Sequence, residues 1–275
     1  MENIILFVKG VIIGIGKIIP GLSGSMIMMI LGLYEKGIRS VTHYFDDIKD
    51  NTKFLLLVGS GILVAVVLIS KLIQLLLIHY AFIIICMFIG LILGGIPSVL
   101  KEIEGTSNIN NIFIFIIFFI LSLSLILSEQ THQINFEGNP LIMFVIGIIE
   151  AATMIIPGIS GTAVLMALGL YHVLIEMFSN LSNLNIFIVN IKVIVPFGLG
   201  LLIGSWFFIK LMDYLLSNYK IKTYWVIIAF AISSIVLMFE KAFESSYTLT
   251  DVTIGFSLLI IGYFASRSFI IKFSY

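Results

Sequence analysis

The chain is predicted to be an all-α integral membrane protein of two inverted-topology repeats, each a re-entrant broken-helix hairpin followed by three transmembrane helices. Three observations predict this. The composition is too apolar for water, the apolar residues fall in eight long runs, and two of those runs are copies of each other. Of 275 residues, 60% are hydrophobic and 11% are charged, with a mean hydropathy of +1.19. A soluble domain carries about 25% charged residues, so this chain cannot cover itself with polar surface. The whole of 1–275 is therefore expected to form one membrane domain. The formal net charge of 0 provides no basic field for nucleic acid. The single cysteine, Cys86, excludes an intrachain disulfide or a thiolate cluster. No small-residue cleavage site follows the apolar start at Ile4, so this segment is expected to belong to the mature fold and not to a signal peptide.

The apolar runs lie at about 4–34, 54–79, 81–99, 112–128, 141–176, 192–216, 223–240 and 251–270. A full crossing takes roughly 20 residues, so six runs read as single spans. The runs at 4–34 and 141–176 are too long for one helix, and both are interrupted. Gly10 to Tyr34 aligns without gaps on Gly147 to Tyr171, with 13 of 25 positions identical, including the Pro, both Gly and the Ser of a Pro-Gly-x-Ser-Gly turn. Downstream, Lys71, Leu72 and Tyr80 match Lys210, Leu211 and Tyr219 at nearly the same offset. Internal repeats of about 1–130 and 138–275 follow.

Charge orients the spans. If each broken run enters and leaves on one side, Lys36, Arg39, Lys49, Lys53, Lys101, Lys220, Lys222, Arg267 and Lys272 share a side. The opposite loops at 129–140 and 177–191 hold no Lys or Arg, and 241–250 holds only Lys241. That is the positive-inside pattern with both termini cytoplasmic. Three full spans per repeat is an odd number, so the second copy is inverted relative to the first.

The broken runs are where function is expected. The arms from Ile4 to Ile18 and Gly24 to Tyr34 measure about 22 Å and 16 Å at 1.5 Å per residue, so each reaches only the midplane of a core about 30 Å thick. Pro20 ends the first arm, Gly21 permits the reversal, and Ser23 is placed to cap the second arm. Pro157, Gly158 and Ser160 repeat the arrangement. Unpaired N–H groups at the start of each second arm face the midplane, where irregular backbone is tolerated only if buried or lining a cavity. Ser23, Gly24 and Ser25 opposite Ser160, Gly161 and Thr162 thus form a candidate anion centre.

Further polar residues sit at membrane depth, where ionisable groups are expensive. Lys17 either faces the anion or pairs with Glu150. Glu150 either carries a coupling proton or serves as that partner. Lys71 and Lys210 either receive an anionic head group or snorkel. Asp213 is expected to pair with Lys210 three residues before it. Gly59 and Gly61, with Gly198, Gly200 and Gly204, are expected at close helix contacts.

The motif order KG…GxGKxxPGLSGS…LGLYE, PGISGT…LGLY and PFGLGLLIG resembles the polyprenyl-phosphate transporter family, the PopT-type undecaprenyl phosphate translocases. The resemblance runs through essentially the whole chain and is strongest over Lys9 to Tyr34, Gly147 to Tyr171 and Pro196 to Lys210. The commoner first motif reads PGVSGGT; here Ser25 replaces the Gly and Met26 the Thr, which removes a hydroxyl at Met26. The resemblance implies a multi-pass protein of the bacterial plasma membrane that returns undecaprenyl phosphate from the outer to the inner leaflet for reuse in cell-envelope synthesis. It implies a phosphate bound at the broken helices and Lys17, and a polyprenyl tail left among the membrane lipids.

Rival classes fare less well. Both turns contain Gly-x-Ser-Gly, as a serine protease would, but a Ser nucleophile needs a nearby base. His43 and His132 fall in loops, His79 at a span end, and His172 beyond the second arm. No His-Glu-x-x-His or clustered ligand set is present for a metal enzyme. The chain is therefore expected not to be an enzyme and to need no cofactor. A transporter of a small soluble anion or of another lipid phosphate stays open on the residues alone.

Overall fold

The computed structural model describes residues 2–18, 23–127, 139–159, 161, 164–165 and 184–273. Among these, regular structure is entirely helical. The elements are α1 (Glu2–Ile18), α2 (Gly24–Ile30), α3 (Tyr34–Thr42), α4 (Ile48–Val64), α5 (Ser70–Lys101), α6 (Ile109–Leu127), α7 (Pro140–Ile155), α8 (Leu184–Asn218), α9 (Lys220–Glu244) and α10 (Leu249–Phe273). A short 3₁₀ turn precedes α4, and a π turn at Ala65–Ile69 joins α4 to α5. Among the described residues, five segments are long and apolar enough to cross a membrane: Ile48–Val67, Leu75–Lys101, Ile194–Asn218, Lys220–Glu244 and Leu249–Ser268. The apolar α6, with 19 residues, is about 28 Å long and close to that length.

α1 and α2 form an antiparallel hairpin. Lys9 Nζ donates to the carbonyl of Leu31 at 3.0 Å, while Gly24 sits against Ile13 and Lys17. The second arm is shorter than the sequence suggests, seven residues rather than the run to Tyr34. Gly32, at φ +70, stops it. With Gly32 N bonded to Met29 O and Leu33 N to Met28 O, the end is a Schellman closure, which needs a left-handed residue.

The two halves pack alike. α1 lies along α4 as α7 lies along α8. In lipid, such pairs are held by close contact rather than by expulsion of water, so small residues set the approach. A Cβ on Gly10 would strike Val58 O, and one on Gly147 would strike Phe197 O. Gly61 meets Phe7 O as Gly200 meets Phe144 O. One turn on, Gly14 abuts the methyl of Ala65, and Gly204 abuts the methyl of Ala151, so the glycine and alanine have changed helices. Gly59 and Gly198 meet nothing within 4 Å, so the expected close contact is absent at both. Their side of the helix faces away from the partner.

Beyond these pairs, α5 bends at Tyr80 (φ −137, ψ 37), and α8 gives way to α9 at Tyr219 (φ −134, ψ 35). After these breaks α5 and α9 run together through the centre, contributing buried Ile89, Ile92, Ile227, Ala231 and Met238. Each then packs the last helix of the other half, α5 against α10 and α9 against α6. Ser122 of α6 and Ser233 of α9 share a hydrogen bond of 2.6 Å in that second pair.

Candidate functional site at the two helix breaks

The first break opens α2. Ser23 occupies the N-cap position with extended backbone (φ −101, ψ 123), and its carbonyl accepts from Met26 N and Ile27 N. The expected side-chain cap does not form. The Ser23 hydroxyl instead lies 2.8 Å from Ser25 Oγ, which donates to Ile156 O at 3.3 Å. With the Ser25 proton committed to that carbonyl, Ser23 donates to Ser25 and its oxygen turns away from the α2 amides. Pro20 and Gly21 lie outside the described residues.

The second break is the acceptor of that bond. α7 ends at Ile156 with extended backbone (φ −74, ψ 119), leaving carbonyls of its last turn without helical partners. Two come from the first hairpin's reach: Ser25 takes Ile156 O, and Tyr34 donates to Ile155 O at 2.7 Å. Gly158 follows at φ +86, pressed against Phe230 and Ala231, with its carbonyl taken by Ser234 Oγ at 2.6 Å. An L side chain would be strained there and would collide with α9. Gly158 is thus explained by the turn itself. Ser160 and Thr162 lie outside the described residues. Gly161 sits where a Cβ would stand 2.7 Å from Thr153 Oγ1 and 3.1 Å from a Glu150 carboxylate oxygen. That close approach puts the start of the second arm directly on the polar face of α7.

Two opposite charges flank the breaks. Lys17, in the last turn of α1, is open at the edge of the packed helices and attracts Glu150 of α7. The pair makes no direct salt bridge among the described residues. Thr153 Oγ1 donates to the backbone carbonyl of Glu150 at 2.9 Å, whereas Glu150 Oε2 is enclosed without a hydrogen-bond partner among the described residues. Ser23, Gly24, Ser25, Glu150 and Gly161 therefore belong to one polar zone in an apolar bundle, with Lys17 at its open edge.

Lys210 does not join it. Its Nζ donates to Thr42 O at 3.3 Å, at the end of the bundle where His43 stands 3.7 Å from Asp213. The expected Lys210–Asp213 pair is replaced by these two contacts, because α3 packs on α8 and supplies both partners. Lys71 lies on α5, and its side chain is outside the described residues. Of the four histidines, His43 is engaged with Thr42 and Asp213, and His79 is exposed beside Tyr80. His132 and His172 lie outside the described residues.

Sequence reasoning passed over Lys9 and Tyr34. Lys9 is 1% exposed, with its ammonium on the α2 C-terminal carbonyl of Leu31. A cation at a helix C-terminus suits the dipole. A lysine within the first apolar run was the available signal for it. Tyr34 closes the LGLY element that both copies share, which hinted at a packing role without naming a partner.

Comparison with known proteins agrees with this architecture. The family model described as undecaprenyl phosphate translocase-like matches residues 43–253. A protein named polyprenyl-phosphate transporter from Vibrio cholerae is 24% identical over 234 residues, covering 80% of this chain and 72% of its own. A protein of the same name from Staphylococcus aureus is 25% identical over 240 residues, covering 84% of each chain. No solved structure matches. Matched by that family model over residues 43–253, well over half of its length, the chain belongs to the undecaprenyl phosphate translocase-like family.

Proposed function

We propose that this protein translocates undecaprenyl phosphate from the outer to the inner leaflet of a bacterial plasma membrane, returning the carrier for envelope synthesis. The observation that carries the reading is the meeting of the two helix breaks, where Ser25 of the first bonds Ile156 of the second beside Lys17 and Glu150. The relatives' name supports the lipid, and the polar zone supports a phosphate.

In this reading both hairpins are re-entrant, the halves 1–130 and 138–275 are inverted repeats, and both termini are cytoplasmic. The matched packing of α1 on α4 and α7 on α8 supports the duplication. Lys17 supplies the counter-charge for the phosphate. The Gly24 and Ser25 amides add donors, those of Met26 and Ile27 being taken by Ser23 O, though a helix of seven residues gives only a local dipole. Gly24 and Gly161 keep the backbone open to the ligand, and the Ser23, Ser160 and Thr162 hydroxyls complete the zone, with Gly21 and Gly158 shaping the turns. Lys71 and Lys210 act at the membrane faces. The polyprenyl tail stays in lipid while the halves rock about the breaks. Moving an anion inward against a negative-inside potential costs about 2.3 kcal/mol per charge per 100 mV. Glu150, enclosed next to the site, is the group we assign to proton coupling.

The test is translocation of labelled undecaprenyl phosphate in proteoliposomes, comparing wild type with Ser23→Leu/Ser160→Leu and with Lys17→Gln. Transport lost in folded variants supports the lipid and the site together. Full transport in both variants retains the lipid and refutes the site. Transport of a soluble phosphate but not of the lipid refutes the reading. Transport unchanged by collapse of the proton gradient removes the coupling role of Glu150.

A further inference from the structure

α1 and α4 start at the same end of the molecule and run parallel, with Gly10 on Val58 and Gly14 on Ile62 and Ala65. Between their first turns lies a groove of about 620 Å³ lined by Asn3, Lys49, Thr52, Lys53, Leu56 and Leu57. Lys49 and Lys53 are one helical turn apart on the exposed face of α4. The same stripe continues through Leu56, 67% exposed, and Leu63, 64% exposed, with Ile4 of α1 alongside at 68%. One surface is therefore basic at its head and mainly apolar beyond it, with the exposed Ser60, whose hydroxyl is returned to Leu57 O, between the two leucines.

Two of the neighbouring carboxylates are engaged elsewhere. Asp47 caps α4 by accepting from Asp50 N at 3.0 Å, and Asp50 pairs with Lys36 at 3.1 Å. Lys49 and Lys53 make no salt bridge among the described residues. α4 also belongs to a candidate membrane span, Ile48–Val67, and both lysines fall in its first two turns, at one end of the span. Juxtamembrane cations of this kind attract anionic lipid, and their aliphatic stems lie readily on apolar surface.

We propose that this groove binds an anionic phospholipid, with the phosphate of its head group held between Lys49 and Lys53. Its acyl chains lie along Leu56 and Leu63. Asn3 and Thr52 line the polar rim, where Thr52 is already oriented by Tyr44 at 2.7 Å. The groove lies at the first turns of α1 and α4, whereas the helix break follows the last turn of α1, so the two sites share no residue.

Native mass spectrometry of the full chain in detergent, with phosphatidylglycerol or phosphatidylcholine added, tests the proposal. Wild type should retain phosphatidylglycerol about thirtyfold over phosphatidylcholine, the size expected for two interfacial lysines. Lys49→Gln/Lys53→Gln should lose the preference, while Lys49→Arg/Lys53→Arg and a Lys101→Gln/Lys222→Gln control should keep it. An undiminished preference in Lys49→Gln/Lys53→Gln overturns the site. Displacement by inorganic phosphate at matched ionic strength overturns the lipid in favour of a free anion. Binding of undecaprenyl phosphate but not phosphatidylglycerol overturns it in favour of a substrate vestibule.

Discussion

The hydroxyl of Tyr34 donates to the carbonyl of Ile155 at 2.7 Å, joining the end of the first hairpin to the end of α7 in the other half. The carbonyl belongs to a last helical turn and has no later amide to accept from. Replacing Tyr34 by Phe leaves it unsatisfied in a buried site. The expected loss is about 1–3 kcal/mol of stability, read as a lowered unfolding midpoint in detergent.

Glycines on matched helices provide a controlled comparison. A Cβ on Gly61 or Gly200 meets backbone of the facing helix, which cannot step aside, whereas one on Gly59 or Gly198 meets nothing within 4 Å. Gly61→Ala and Gly200→Ala should each cost about 1–3 kcal/mol through overpacking. Gly59→Ala and Gly198→Ala should stay within about 0.5 kcal/mol of wild type. Unfolding of the four variants in one detergent checks both statements, and equal effects across the set would refute the packing account.

Lys17 and Glu150 should behave as a coupled pair. Removing either charge leaves the other with less compensation, so Lys17→Gln/Glu150→Gln should lose less stability than the two single losses added together. The expected coupling is on the order of 1 kcal/mol. A double-mutant cycle measures it, and simple additivity would show that the charges act independently.

At one end of the bundle, Lys220 bridges Glu35 at 3.1 Å and Glu102 at 2.9 Å, while Tyr224 donates to Glu35 at 2.7 Å. Lys220 opens α9, Glu102 follows α5, and Glu35 lies in α3, so three segments are tied together. All three charged side chains are more than a third exposed, so solvent screens them. Lys220→Gln should therefore cost at most about 1 kcal/mol, and the difference should shrink in high salt. Denaturation at two ionic strengths decides it.

Much of this was legible in the linear chain because its signals are local. Pro20 and Pro157 lack an amide donor wherever the chain places them, so the two breaks could be marked without a fold. Tyr80 and Tyr219 matched by offset and share one non-helical backbone conformation. Gly32 was less legible. It reads as one more small residue in LGLY, yet its left-handed backbone ends α2 four residues early.

What the sequence by itself determined was the solvent, the helical class, the duplicated breaks and the family resemblance, since these depend on composition and on residues near one another in the chain. Tertiary structure alone decided the partners. Ser25 stands beside the first break in the sequence, but its hydroxyl is committed to Ile156, 131 residues away. Lys210 was expected near Asp213 and instead bonds Thr42, because α3 returns to lie on α8. Lys9 drew no functional reading, yet it sits on the closing carbonyl of α2. A polar atom in a membrane bundle must find whichever donor or acceptor the packing brings within reach, and that choice is set by helices distant in sequence.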